Sequence, residues 1–220
     1  LAQKLDIFTR QLKHALEAPL PGKAAQDIMA ATSRNVRIND MRQSGEPKPG
    51  AVLVLFYENE KGEICIPLMQ RPSYEGAHSG QISLPGGKVE PEDDTRYDTA
   101  LRECEEEIGI PQSKVEVIGE LSELYIFASH YTVLPVVGYM QGLPEFIPDH
   151  IEVDKVIEAP VERLIDKNYH LQKRLQVRHF EIDAPYFDVF GEIVWGATAM
   201  MLSELVTVIE QKDIQKYLRA

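Results

Sequence analysis

The chain has 220 residues, 44% of them apolar, which suits one medium domain with a sizeable core, with or without extra segments at its ends. Its 35 acidic and 23 basic residues give a formal charge of −12, which opposes nucleic-acid binding and makes an anionic substrate depend on a bound cation or on local basic groups. No apolar run approaches the roughly 20 residues that cross a bilayer, and Cys65 and Cys104 are too few for a disulfide framework and poorly spaced for zinc, so a reducing cytoplasm is expected and a membrane is not. The N-terminus shows no secretory h-region or cleavage site; its lack of an initiator methionine predicts that the natural start lies upstream.

Leu1, Leu5, Phe8, Leu12 and Leu16 recur at helical spacing and predict an amphipathic helix that stops at Pro19-Leu20-Pro21-Gly22. Its apolar stripe is expected to pack on the main domain, because its polar face is not basic enough for a membrane surface. Residues 23–50 read as a short helix and then a polar loop ending in Gly45-Glu46-Pro47-Lys48-Pro49-Gly50. Residues 1–48 are therefore expected to form a helical extension packed on a domain of residues 49–220. In that domain Ala51–Tyr57 has the pattern of a buried strand, Asn59-Glu60-Lys61-Gly62 of a turn, and Ile64–Met69 of the returning strand. A Gly-rich loop follows, then a helix from about Thr95 to Ile108. Lys114–Leu121 and Tyr131–Tyr139 predict two strands, and Val156–Pro160 the start of a strand-to-helix unit. His179–Ile182 and Glu192–Trp195 predict two more strands, and Ala197–Gln211 a final amphipathic helix. Interspersed strands and helices, without repeats or an interdomain linker, predict an α/β or α+β sandwich.

The chemistry is concentrated in Arg102-Glu103-Cys104-Glu105-Glu106-Glu107-Ile108-Gly109-Ile110. On a helix, Tyr97, Leu101, Cys104 and Ile108 form one apolar stripe, while Glu103, Glu106 and Glu107 converge on another face at i, i+3 and i+4. Arg102 stands one turn before Glu106 and can fix its rotamer, and Gly109 is placed to end the helix in a left-handed conformation. Like charges at that spacing each cost a few tenths of a kcal/mol, and no lysine is interleaved between Lys88 and Lys114. An acidic helix can be a solvated face with no ligand. Here the carboxylates follow Leu84-Pro85-Gly86-Gly87-Lys88, where paired glycines let backbone approach a ligand and N–H groups or Lys88 can meet phosphate. Together they point to a hard cation, Mg²⁺ or Mn²⁺, sharing its coordination with substrate phosphates.

Gly87, Arg102-Glu103, Cys104 in the apolar slot, Glu106-Glu107, Gly109 and Ile110 resemble the Nudix box, G-x5-E-x7-R-E-U-x-E-E-x-G-U with U apolar. The second half is complete. The first departs: Asp93 stands in place of Glu, and eight residues rather than seven separate it from Arg102, so the loop reads as one residue longer. Glu90, Glu92 or Asp94 could substitute for the missing glutamate, and no metal role is assigned there. This lengthened form with Asp resembles the coenzyme A pyrophosphatase branch. So do Leu20-Pro21-Gly22 with Ala25-Gln26 and Met29, Arg71 with His78–Gly87, Val133–Gly138, and Val194–Ala199. One departure stands out. Tyr74-Glu75-Gly76-Ala77 carries no second basic residue where the branch usually has one, which points to a weaker grip on the 3′-phosphate of coenzyme A or to another substrate.

The resemblance implies a Nudix-type α/β/α sandwich with a mixed sheet, and hydrolysis of a diphosphate bond, with coenzyme A giving 3′,5′-ADP and 4′-phosphopantetheine. It implies that Glu103 and Glu107 hold Mg²⁺ or Mn²⁺, with Glu106 a further ligand or the activator of water, and that Arg102 orients the glutamates. Glu106 and Glu152 are alternative general bases; Glu152 also reads as an exposed loop carboxylate. Arg71, His78, Gly86, Gly87 and Lys88 are the candidate substrate contacts, Arg71 reading equally as a solvated arginine at a strand end. Trp195 reads as core before pocket, and Cys104, on the apolar stripe, is not expected to be a nucleophile. Nothing in the spacing requires His130 or Tyr131 to line the site. The implied partners are a small nucleotide substrate and optionally a second copy of the chain, with neither nucleic acid nor membrane. ADP-ribose or another nucleotide conjugate is the competing substrate. A catalytically silent module that senses a nucleotide or binds a protein is the competing class, disfavoured by the intact carboxylates.

Overall fold

The computed structural model describes residues 2–33, 36–72, 80–177 and 180–218. In chain order these form α1 (Ala2–Leu16), α2 (Lys23–Gln26), β1 (Thr32–Ser33), β2 (Val36–Arg37), β3 (Lys48–Glu58), β4 (Ile64–Gln70), β5 (Ile82–Ser83) and β6 (Gly86–Lys88). Then come α3 (Arg96–Ile108), β7 (Glu116–Glu120), β8 (Leu124–Ile126), β9 (Tyr131–Tyr139), β10 (Lys155–Pro160) and α4 (Val161–Ile165). The chain closes with β11 (His170–Val177), β12 (Phe180–Val189), β13 (Glu192–Trp195) and α5 (Gly196–Gln211).

The main sheet runs β10-β4-β3-β9-β7, with β5 on β4, β6 on β3 and β8 on β9. Its centre is β3, parallel to β9 from Lys48↔Tyr131 to Phe56↔Tyr139, while the other pairs are antiparallel. A central strand buried on both faces reads as an unbroken apolar run, as β3 does. Its alternation then serves two cores: Ala51, Leu53, Leu55 and Tyr57 meet Ala100, Cys104 and Ile108 of α3, and Val54 and Phe56 meet α1 and α5. Helices on both faces of a mixed sheet make the α/β/α sandwich expected.

On the second face Leu5, Phe8 and Leu12 of α1 are buried, with Phe8 edge-on to Phe56 at 5.2 Å between ring centres. Leu1 lies outside the described residues. Next to α1 lies α5, which departs from the amphipathic helix expected: Thr198–Val206, Val208 and Ile209 are all buried, Glu204 included. A helix apolar around its circumference belongs inside, and Glu204 is tolerated there because it accepts from Gly22 N at 3.0 Å and Gln26 Nε2 at 2.9 Å. That bond set explains why Leu20-Pro21-Gly22 and Gln26 form a distinct segment. Gly22 and Gln26 each carry a donor to a buried carboxylate.

A smaller sheet, β11-β12-β1-β2 with β13 on β12, was only partly foreseen. Residues 23–50 contain β1 and β2 where a loop was expected. β11 is not predicted from sequence, because His-Leu-Gln-Lys-Arg-Leu-Gln-Val is mostly polar and stands at an exposed edge. β12 extends well past Ile182, and His179 lies outside the described residues. Lys114 belongs to a 3-10 turn and the strand begins at Glu116. Among the described residues no helix is long and apolar enough to cross a membrane.

Candidate active site

The acidic helix is fixed at both ends by its own sequence. At its start Thr95 accepts from Tyr97 N and Asp98 N, and Asp98 returns the contact to Thr95 N at 2.7 Å, a capping box. At its end Gly109 has φ 76° and bonds to Glu105 O at 3.0 Å, the left-handed stop expected. The Gly-rich segment is not a free loop. It is β6, paired to β3 through Val52↔Gly86, Ala51↔Gly87 and Gly50↔Lys88, which lays its backbone beside the carboxylate face of α3. A Cβ on Gly86 would stand 2.4 Å from Ala51 O, and one on Gly87 would stand 2.4 Å from Glu103 Oε1. The first contact is with backbone and cannot relax; the second is with the end of a side chain and can. Gly87→Ala is therefore expected to leave the melting temperature within a few degrees of wild type while turning Glu103 away and lowering kcat by about tenfold. Parallel melting and kinetic measurements test this, and unchanged kcat would separate Glu103 from the chemistry.

A cavity of about 540 Å³ opens between these elements. Every described residue of the predicted set lines it: Arg71, Gly86, Gly87, Lys88, Arg102, Glu103, Glu106, Glu107 and Glu152. His78 lies outside the described residues. Glu90, one of the three residues able to stand for the missing box glutamate, lines it too, and so does Asp149, which was not singled out from sequence. Asp149 had a detectable signal, since an Asx residue ahead of Ile151 and Glu152 favours a turn. Its Oδ1 accepts from Ile151 N at 2.9 Å, and its carbonyl from Glu152 N at 3.0 Å and Val153 N at 2.8 Å. Asp149 thus builds the turn that presents Glu152. His130 and Tyr131 do not line the cavity. Trp195 is partly buried against Ala31, Ile182 and Ala184, and the Cys104 thiol is buried and pushed well up, as a core residue should be.

Two arginines organise the carboxylates. Arg102 donates Nε to Asp93 Oδ1 and Nη2 to Asp93 Oδ2, both at 2.9 Å, and Nη1 to Glu103 Oε1 at 3.0 Å and Glu106 Oε2 at 2.9 Å. Asp93 also accepts from Glu90 N and Thr99 Oγ1, and the guanidinium beside it holds its carboxyl far below the usual range. Asp93 is thus the anchor of Arg102, at a position to which the sequence assigns no metal role. The second arginine, Arg71, donates Nη2 to Glu107 Oε1 at 3.0 Å, while Gly86 N donates to Glu107 Oε2 at 2.8 Å. Burial pushes the Glu107 carboxyl up to about 7, opposed by Arg71 and the Gly86 N–H and reinforced by Glu103 and Glu152. Burial also raises Glu103, against the pull of Arg102. Lys88 is exposed and paired to Glu90 at 2.8 Å, so its ammonium is engaged at the rim.

Among the described residues no three acidic, His or Cys side chains form a ready-made metal cage. The hydrogen bonds account for this, since Glu103 and Glu106 lean on Arg102 and Glu107 on Arg71. The donor set still fits a hard divalent cation: carboxylate oxygens on one helix face, a further carboxylate from Glu152, and space beside Glu103 that only a glycine at 87 leaves open.

This fold and this box define a known class. A NUDIX domain family model matches residues 47–174, and the chain belongs to the Nudix family. It is 35% identical over 174 residues to Nudix hydrolase 15, mitochondrial, of Arabidopsis thaliana, covering 76% of this chain and 60% of that protein. Nudix hydrolase 22, chloroplastic, of the same plant is also 35% identical, with 57% of its length covered, so the chain spans less than two thirds of these plant relatives. An uncharacterized Nudix hydrolase NudL of Yersinia pestis is 31% identical, across 72% of this chain and 86% of that protein. The fold matches the MutT/nudix family protein from Enterococcus faecalis with a TM-score of 0.52, at 17% identity and over 81% of this chain and 70% of that one. It also matches the Nudix hydrolase RenU from M. smegmatis with a TM-score of 0.51, at 13% identity and over 85% and 94%.

Proposed function

We propose that this chain hydrolyses the diphosphate bond of a nucleoside diphosphate conjugate with the help of Mg²⁺ or Mn²⁺, and that coenzyme A or a derivative is its substrate. The observation that carries the reading is the convergence of Glu103, Glu106, Glu107 and Glu152 on one cavity walled by the Gly86–Gly87 backbone and Arg71. Glu103 and Glu107 hold the cation, with Glu106 beside them. When bound, a divalent cation neutralises diphosphate charge and lowers the pKa of a water. The chain's own residues do the rest. Arg102 keeps Glu103 and Glu106 in fixed rotamers, the glycines admit the diphosphate close to backbone, and Arg71 faces its oxygens.

Glu106 is already engaged by Arg102 at 2.9 Å, whereas Glu152 stands on its turn across the cavity, so Glu152 is the better acceptor for the proton of water. Glu152→Gln is expected to lower kcat by about 10²-fold with little change in KM. Full kcat in that variant would return the role to Glu106. The coenzyme A assignment draws its support from the lengthened box with Asp93 and from the flanking stretches at residues 20–29, 133–138 and 194–199. Two free, buried thiols suit a reducing compartment, either the cytoplasm or an organelle interior of the kind named for the two plant relatives.

Product analysis after incubation with coenzyme A, ADP-ribose or a dinucleoside polyphosphate, each with Mg²⁺, Mn²⁺ or EDTA, tests both levels. Metal-dependent release of 3′,5′-ADP from coenzyme A is the expected result. Cleavage of ADP-ribose alone would keep the carboxylate chemistry and discard the substrate, and no cleavage at all would favour a silent binding module.

A further inference from the structure

The two arginines of the site are held very differently. Arg102 is clamped, with its Nε–Nη2 edge on Asp93, Nη1 on Glu103 and Glu106, and Nη2 also donating to Lys88 O at 3.2 Å. Arg71 is held by one nitrogen. Its Nη2 reaches Glu107 Oε1 at 3.0 Å and Gly86 O at 3.2 Å. Its backbone is fixed, N–H to Gln81 O at 3.1 Å, with the adjoining Gln70 O taken by Asp154 N at 2.9 Å. Only the side chain is therefore loosely held, and it is 25% exposed at the cavity wall. Its partner cannot move in the same way. Glu107 is 2% exposed and tied through its other oxygen to Gly86 N.

A buried carboxylate needs a compensating positive charge, and leaving one uncompensated is costly. Arg71 supplies that charge to Glu107, the carboxylate our proposed function assigns to the cation. Two positive centres on one carboxylate oxygen repel in a partly desolvated site. Arg71 has further N–H donors in a planar fork suited to phosphate oxygens.

Resting on that reading of the site, we propose that Arg71 is an exchangeable counter-ion, which holds Glu107 in place before the cation binds and then turns its guanidinium to the diphosphate. One arginine thereby serves two anions in sequence, and the site takes cation first and nucleotide second. Opening Arg71 to phosphate before Glu107 has another partner would leave that carboxylate buried and unpaired.

Mn²⁺ binding to the whole chain, followed by electron paramagnetic resonance, tests this without turnover. Arg71→Gln is expected to bind Mn²⁺ about tenfold more tightly than wild type, because a competing positive charge is gone. The same variant loaded with Mn²⁺ is expected to bind inorganic pyrophosphate about tenfold more weakly. Arg71→Lys keeps the charge but not the fork, so its Mn²⁺ affinity stays within a few-fold of wild type while pyrophosphate binding still weakens. A folded Arg71→Gln protein that binds Mn²⁺ no more tightly than wild type overturns the exchange. If that variant does not fold, unweakened pyrophosphate binding by Arg71→Lys overturns it instead. Absence of any Mn²⁺ binding by wild type, with Glu107→Gln behaving identically, would remove the cation reading itself, and the exchange with it.

Discussion

Glu107→Gln is expected to lower metal-dependent turnover by about 10³-fold while leaving the fold intact. Glu107 is 2% exposed and each of its oxygens meets one donor, Arg71 Nη2 at 3.0 Å and Gly86 N at 2.8 Å. Glutamine keeps the shape but loses the charge, and its NH₂ must face one of those donors. That mismatch costs about 1–2 kcal/mol. Relief from burying a charge offsets part of it. The catalytic loss is not offset, since no other carboxylate on α3 is comparably buried against β6. Steady-state kinetics across a Mg²⁺ titration measure the effect, and undiminished turnover would sink the assignment of Glu107 to the cation.

The same residue gives a pH signature in the metal-free protein. Its folded carboxyl titrates at about 7, above the ordinary glutamate value near 4.3 that it has when unfolded. Between those values the folded chain binds more protons than the unfolded one, so this group favours the fold at low pH and its contribution is lost as pH rises through 7. Melting in EDTA is expected to show that decline from pH 5 to 8 in wild type and a flatter profile in Glu107→Gln. Matching slopes in the two proteins would show that Glu107 does not titrate there.

The carboxylate helix was legible because its signals are local: an apolar stripe at helical spacing, carboxylates at i, i+3 and i+4, and Gly109 at the stop. The central strands were legible for the same reason, β3 and β9 being apolar runs bounded by polar turns. What escaped depends on partners distant in sequence. β11 is polar and exists by pairing with β12, from His170↔Phe187 to Val177↔Phe180. The burial of Glu204 in α5 becomes intelligible only once Gly22 and Gln26 are seen beside it. At the site, composition and spacing brought out the acidic face and the glycines. The Arg102–Glu106 pair followed from its i, i+4 spacing, whereas the pairing of Arg71 with Glu107 is a matter of packing. Arg71 lies 36 residues before Glu107, and no periodicity links them. Asp93 was visible as a departure from the usual box, and its meaning came from geometry.

That departure leads to the other large effect. Asp93→Ala is expected to destabilise the protein by about 2–3 kcal/mol and to lower kcat by about tenfold. Asp93 is 3% exposed, and its loss strands the Arg102 fork, Glu90 N and Thr99 Oγ1 without their acceptor. With Arg102 released, Glu103 and Glu106 lose the group that fixes their rotamers, which is why turnover falls although Asp93 itself does not line the cavity. Because Arg102 holds the Asp93 carboxyl well below its unfolded value, the pair's contribution is present above about pH 4 and fades as pH falls further. Acid unfolding of wild type should therefore include a step that Asp93→Ala lacks. Asp93→Glu separates length from charge. It restores the residue usual in the box, but the loop here is one residue longer, and an added methylene in so enclosed a place pushes the carboxylate into the guanidinium. The expected result is lower stability than wild type despite an unchanged charge. A Glu variant as stable as wild type would mean that the longer loop and the shorter side chain do not compensate for each other.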